Sequence, residues 1–291
     1  MSGQAQTSAL ARIGVVGLGR IGLPVARNLA AAGFDVFVID TRPEVTRAFG
    51  ERALASVREL VAVTDAVIIA VPGPDEDENV LLGPAGLIAE APAGLLVIDF
   101  TTLPVSASRI FATEARTKGI AYLEAPVSGS QQGAIDGQLT IMVAGEADAF
   151  ARARPLFDVL GGHVAHVGPP GTAMLLKLIN QIIYISYMMA FSEGVAMGER
   201  AGLDLDLMLE VLATSAAGDP RIAAKFPQMR GDTGQCFSAA NARKYFDFAL
   251  ADVPPGPIAE AVHRRLGQAL AAGAGAIDVT ALDRPDARAG T

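Results

Sequence analysis

The chain has 291 residues, enough for one large domain or two smaller ones with a sizeable core. Hydrophobic residues make up 51% and charged residues 19%, which excludes a disordered chain. The formal net charge of −8 with no basic stripe argues against nucleic acid as a partner, and the single cysteine, Cys236, excludes an intrachain disulfide and a cysteine metal cluster.

Residues 1–10 read as a flexible N-terminus without the apolar core of a secretory signal, which points to the cytoplasm. "RIGVVG" (12–17) is a short apolar run ending in glycine, and a helix is expected over 21–32. "FDVFVID" (34–40), "AVIIAV" (66–71), "LLVIDF" (95–100), "IAYLEA" (120–125), "TIMVAG" (140–145) and "HVAHVG" (163–168) read as further strands. Near-continuous apolar strands alternating with helices predict α/β architecture: a doubly wound parallel sheet of Rossmann type, covered on both faces. After "GPPG" (168–171) the pattern turns wholly helical, over about 172–201, 204–214, 220–230, 239–251 and 257–272. The expected division is an N-terminal α/β domain over 11–168 and an all-helical domain over 169–291, joined by the long helix, with "DRPDARAGT" as a frayed tail. The stretch 173–192 is apolar enough to imitate a membrane span, but Lys177, Asn180 and Gln181 make it a helix inside protein instead.

"GLGRIGLPVARNL" (17–29) places Gly17, Gly19 and Gly22 at the spacing G-x-G-x-x-G, between a predicted strand and a predicted helix. Gly17 permits the tight turn, Gly19 lets the backbone approach a pyrophosphate, and Gly22 lets helix and strand pack closely. The second strand ends in Asp40, placed to accept hydrogen bonds from an adenosine ribose diol. A structural βαβ turn without ligand is the alternative, and the agreement of strand, helix and terminal acid favours the dinucleotide. Asp40 favours NAD over NADP, while Arg42 is either a 2′-phosphate contact or an ordinary loop arginine.

Of 23 basic residues only four are lysines, and Lys177 sits in the most apolar stretch of the chain. Either it pairs with an acid or it transfers protons, because a buried lysine, unlike an arginine, can release one. Asn180 and Gln181 follow at i+3 and i+4 on the same helical face, a polar set suited to a small substrate. In "EAPVSGS" (124–130), Ser128, Gly129 and Ser130 either present donors to a carboxylate or form a plain turn.

Together these segments resemble the β-hydroxyacid dehydrogenase family over nearly the whole chain. "VVGLGRIGLPVARNL" resembles its cofactor motif, with Ile21 and Val25 where methionines are usual, and "DFTTLP" its nicotinamide-side strand end. "EAPVSGSQQGA" resembles the substrate motif D-A-P-V-S-G-G, with Glu124 for Asp and Ser130 for the second Gly. "GPPGTAMLLKLINQ" resembles the catalytic helix. The resemblance implies Lys177 as the catalytic residue and Ser128 and Gly129 as substrate-carboxylate contacts, and the expected mechanism adds Ser130 to the carboxylate contacts and Asn180 or Gln181 to orient the substrate. The resemblance also implies a cofactor cleft of Gly17, Leu18, Gly19, Arg20, Ile21, Gly22, Asp40, Val71, Pro72 and Thr102, to which the residues themselves add Arg42 as a candidate. Lys244 falls on a lysine that closes over the cofactor, although the family's K-D-L is "KYF" here, with Tyr245 for the acid.

The reaction expected is reversible hydride transfer between NAD, ahead of NADP, and a small β-hydroxy acid or its semialdehyde, with Lys177 as general acid and base and no metal. The alternatives are an imine reductase on the same scaffold or a non-catalytic dehydrogenase-like interaction module. Both lack the lysine that this chain keeps. The apolar helical half predicts a homo-oligomer, a dimer or tetramer, with no membrane association.

Overall fold

The computed structural model describes residues 10–232 and 237–283. The flexible start, apart from Leu10, lies outside the described residues, as do Cys236 and the tail after Asp283. The chain divides into two compact units, Met1–Lys177 and Leu178–Thr291.

The first unit runs β1 (Arg12–Val16), α1 (Gly22–Ala31), β2 (Asp35–Ile39), α2 (Pro43–Thr46), α3 (Val57–Val63), β3 (Ala66–Ile69), α4 (Pro74–Leu82), α5 (Leu87–Glu90) and β4 (Leu96–Asp99). It continues through α6 (Val105–Thr117), β5 (Ala121–Glu124), β6 (Val127–Ser128), α7 (Ser130–Ile135), β7 (Leu139–Ala144), α8 (Ala147–Leu160), β8 (Gly161–Gly168) and the start of α9 (Thr172–Arg200). The strands form one sheet in the order β2-β1-β3-β4-β5-β7-β6, with β8 beside β7. β1 to β5 are parallel. β7 runs antiparallel to β5 and β6, and β8 parallel to β7. The expectation of a parallel sheet is therefore corrected at β7. An apolar run reports burial on both faces and carries no information on strand direction.

One row of the sheet matters for function. Val16 pairs with Ile39 and Ile69, Ile69 with Asp99, and Asp99 with Glu124. The carboxyl ends of five parallel strands thus stop level. The strand order reverses on either side of β1, which makes this edge the topological switch point where α/β sheets bind ligands. The core beneath it includes Ile13, Val15, Ile68, Ile98 and Leu123, all with no exposed surface.

The second unit carries the rest of α9, then α10 (Leu205–Thr214), α11 (Pro220–Ala223), α12 (Phe226–Met229), α13 (Ala239–Asp252) and α14 (Pro257–Ala271). The single helix expected over 220–230 is two short ones. Pro227 lacks an N–H and lies in the first turn of α12, where that loss is harmless, whereas mid-helix it would break a bond. Ile185, Met188 and Val195 of α9 join Phe246 and Leu266 in the core of this unit. α9 is long and apolar enough to cross a membrane by length and composition, and 44% of its most apolar window is buried. Ile183 and Met197 on the same helix stand 65% and 59% exposed.

Candidate active site

The glycine loop takes the shape its sequence requires. Gly17 lies at φ 89°, in the left-handed region, and a side chain there would strike the Ala70 carbonyl. A side chain at Gly22 would strike the Gly17 carbonyl, so α1 starts hard against the turn. At Gly19 a Cβ would meet nothing within 4 Å. The space beside Gly19 suits a pyrophosphate at the N-terminus of α1. Leu18 is buried, Arg20 is exposed and Ile21 is half-buried.

Asp40, one residue past β2, accepts the Leu18 N–H at 2.6 Å and ties the glycine loop to β2. Arg42 donates to the same carboxylate from its backbone N–H, Nε and Nη2, at 2.9, 2.9 and 3.0 Å, and from Nη2 to the Leu18 carbonyl at 3.2 Å. Burial pushes the Asp40 carboxyl up, but the bonds from Arg42 and Leu18 outweigh it and hold it below its usual range. Asp40 and Arg42 therefore form one unit, which reading them separately in the sequence did not reveal.

Val71 and Pro72 follow β3, and Thr102 follows β4. The Val71 N–H donates to Thr101 Oγ1 at 3.4 Å, which joins the two strand ends. Beneath them lies a buried acid pair. Asp77, on α4, and Asp99, at the end of β4, have no exposed surface. Asp99 accepts the Thr101 N–H at 2.8 Å and the Tyr122 hydroxyl at 2.7 Å, while Thr101 Oγ1 reaches Asp77 at 3.4 Å. Burial raises both carboxyls, and the charge of Asp99 raises Asp77 further. Asp77 Oδ2 finds no hydrogen-bond partner in this buried position, which fits a carboxyl whose charged form is disfavoured.

Ser128 is the last residue of β6 and pairs with Thr140. Gly129 has φ 131°, and Ser130 has φ 61°, the one described non-glycine residue with a positive φ. A glycine at 130, as in D-A-P-V-S-G-G, would adopt this conformation without strain, so the serine is held there against its preference.

Lys177 is 7% exposed. Burial lowers its amine to about 8. Asn180 is half-buried, Gln181 is buried, and Asn180 Nδ2 donates to Gln181 Oε1 at 3.1 Å. Lys244 lies on α13 with its Nζ 5.3 Å from the centre of the Tyr245 ring. Tyr245 stacks on Phe237, so the residue in place of the family's acid packs as an aromatic. Among the described residues no group of three His, Cys, Asp or Glu is placed to hold a metal.

Residue patterns missed Asp77, Asp99, Ser108 and Glu124. Each is an ordinary polar residue in the sequence; the register of β4 and β5 sets Asp99 beside Glu124, while Asp77 comes from α4 and Ser108 from α6. The signal available was an acid closing an otherwise apolar strand, in "LLVIDF" and "IAYLEA".

Gly-rich turn, switch point and acid-terminated β2 define a dinucleotide-binding dehydrogenase. Residues 12–168 match the family model described as the NAD binding domain of 6-phosphogluconate dehydrogenase. Residues 171–284 match that described as NAD-binding of NADP-dependent 3-hydroxyisobutyrate dehydrogenase. The chain is 37% identical to the NAD-dependent L-serine dehydrogenase of Pseudomonas aeruginosa, over 72% of this chain and 71% of that protein. It is 32% identical to the L-threonate dehydrogenase of Cupriavidus necator, over 93% and 94%. The crystal structure of 3-hydroxyisobutyrate dehydrogenase from Salmonella typhimurium superposes with a TM-score of 0.86 at 26% identity, covering 94% of this chain and 99% of that one. The chain belongs to the β-hydroxyacid dehydrogenase family, the NAD(P)-dependent oxidoreductases that act on the CH–OH group of small hydroxy acids.

Proposed function

We propose that Lys177 is the general acid and base of this dehydrogenase and that its substrate is a small β-hydroxy acid or the matching semialdehyde. The observation that carries the reading is a buried lysine whose amine is lowered to about 8, on the helix that resembles the family's catalytic helix. A group with a pKa near working pH both accepts and returns a proton readily. NAD, when bound, accepts the hydride in oxidation and returns it in reduction. In oxidation the neutral Lys177 Nζ takes the proton of the substrate hydroxyl. In reduction its ammonium form returns a proton to the same oxygen. Ser128, Gly129 and Ser130 hold the carboxylate and fix which face of the carbinol carbon is presented. Asn180 and Gln181 orient the hydroxyl end.

The residues proposed to hold NAD are Gly17, Leu18, Gly19, Arg20, Ile21, Gly22, Asp40, Arg42, Val71, Pro72 and Thr102. Lys244 joins them on its motif position alone. The functional division is a cofactor domain over 11–168 and a substrate and oligomerisation domain over 169–291. We infer NAD ahead of NADP from Asp40, and a cytoplasmic homo-oligomer, dimer or tetramer, with no membrane or nucleic acid partner. Exposed Ile183, Met197, Leu203, Leu207 and Val211 on and around α9 and α10 support self-association.

The reading is tested by steady-state turnover on a panel that includes L-serine, 3-hydroxyisobutyrate, L-threonate and small semialdehydes, each with NAD(H) and NADP(H). Saturable turnover with at least one three- or four-carbon hydroxy acid, faster with NAD, is expected. Turnover confined to imines, or none across the panel in a protein that binds NAD, would contradict it.

A further inference from the structure

Glu124 is a fully buried acid that the proposed chemistry leaves without a task. It ends β5 and has no exposed surface. Its Oε1 accepts the backbone N–H of Ala173 at 2.8 Å and that of Met174 at 3.2 Å. Its Oε2 accepts a short hydrogen bond from Ser108 Oγ, on α6. Ser108, Ala173 and Met174 are likewise fully buried, so water cannot stand in for any of these partners.

The contacts sit at a particular place. α9 begins at Thr172, and the first N–H groups of a helix have no partner inside it. Thr172 N–H is satisfied by the Pro169 carbonyl, and the helix's own ladder begins with Leu175 N–H on the Gly171 carbonyl. The two donors in between are the two that Glu124 takes. In an α-helix each N–H bonds the carbonyl four residues earlier, so the backbone of Lys177 hangs on the Ala173 carbonyl. One peptide therefore separates the buried carboxylate from the turn that carries the amine. Met174 adds a second tie: its sulfur accepts the Leu103 N–H at 3.2 Å, next to Thr102 in the loop after β4. The start of α9 is fastened to the same sheet edge that carries the proposed cofactor residues.

We propose that Glu124 is a positioning residue for Lys177: by holding the first turn of α9 against the ends of β4 and β5, it sets the place from which the lysine amine meets the substrate hydroxyl. This rests on the reading of Lys177 as the proton-transfer group. The family's motif carries aspartate here, and in this chain the glutamate carboxylate bonds both N–H groups. Misplacing a reacting group by about 1 Å costs on the order of a hundredfold in rate, whereas binding of the cofactor's adenosine end does not depend on this turn.

The test uses full-length protein and the best substrate of the panel. Glu124→Met conserves length and bulk but offers the two N–H groups no acceptor. It should lower kcat at least tenfold while KM and the Kd for NAD stay within about threefold of wild type. Glu124→Gln keeps an acceptor oxygen for Ala173 and Met174 and an N–H for Ser108, and should recover kcat to within about threefold. A folded Glu124→Met protein with wild-type kcat would overturn the proposal, as would a Gln variant no better than the Met variant. Should the Met variant fail to fold, Ser108→Ala decides: kcat about threefold lower at unchanged NAD affinity supports the proposal, and unchanged kcat overturns it. Lys177→Met run alongside separates the two readings, since normal turnover in that variant would remove the lysine chemistry itself whatever Glu124 does.

Discussion

On the reading proposed, Asp40 and Arg42 set the cofactor preference as a pair. Both carboxylate oxygens of Asp40 already accept two donors each, from Leu18 and Arg42. A ribose diol must therefore compete with the guanidinium, and a 2′-phosphate must overcome the carboxylate. Asp40→Asn removes that repulsion and releases Arg42, so the ratio of kcat/KM for NADP over NAD should rise at least tenfold, read by steady-state kinetics with both cofactors. A wild type that uses NADP as well as NAD would show that Arg42, not Asp40, sets the preference. Ser130 offers a second test on a single side chain. Relief of a left-handed serine is worth roughly 1–2 kcal/mol, and the greater unfolded-state freedom of glycine offsets roughly 0.5–1 kcal/mol of it. Ser130→Gly should raise stability by about 0.5–1 kcal/mol in urea denaturation. If the hydroxyl binds substrate, the same variant should raise KM for the hydroxy acid, so that strain is retained for a contact.

Between β3 and β4, the buried pair of Asp77 and Asp99 joins the strand ends that carry Val71 and Thr102. A carboxyl whose folded pKa is raised above its unfolded value contributes stability that is complete below the unfolded value and is lost as pH rises through the folded one. Both carboxyls are raised, Asp77 the more strongly, by burial and by the charge of Asp99. Asp77→Asn cannot ionise and keeps an oxygen to accept from Thr101 Oγ1. Its advantage in unfolding free energy over wild type should therefore be small near pH 4 and grow steadily toward pH 8, measured by urea midpoints at each pH. A difference independent of pH would show that Asp77 is not raised in the fold. The same elements show what was legible in the sequence. β1 to β5 and the glycine turn were legible because burial on both faces leaves continuous apolar runs and because turns need glycine. The direction of β7 and the two-residue β6 were not, since neither hydrogen-bond direction nor a strand that short leaves a hydrophobic pattern. Lys177 stood out as a charge in an apolar helix. Glu124 did not, because its task is defined by Ala173 and Met174, some fifty residues away.

On the scale of the whole molecule, the chain places a sheet edge with NAD-binding features in one unit and an apolar helical core in the other, with α9 passing from the first into the second. Self-association through exposed apolar side chains of the helical unit predicts a mass of two or four chains in sedimentation equilibrium. The central claim is the proton-transfer role of Lys177. Its amine, lowered to about 8 by burial, makes the ammonium form a cost to the fold. The sign follows: a lysine with a depressed folded pKa destabilises the fold below that value, on the order of 3 kcal/mol here, and stability recovers as pH rises from about 8 to the unfolded value. Lys177→Met should thus fold at least as stably as wild type at pH 7. Wild-type oxidation should rise through a limb near pH 8 as the amine loses its proton, and the variant should lack that limb. The decisive measurement is kcat and NAD affinity on the same folded Lys177→Met protein, across pH 6–10. The account predicts NAD affinity within about threefold of wild type and kcat lower by at least about a hundredfold, the lower end for loss of a positioned acid–base group. Near-normal turnover with intact NAD binding would contradict it and leave Lys177 a structural lysine.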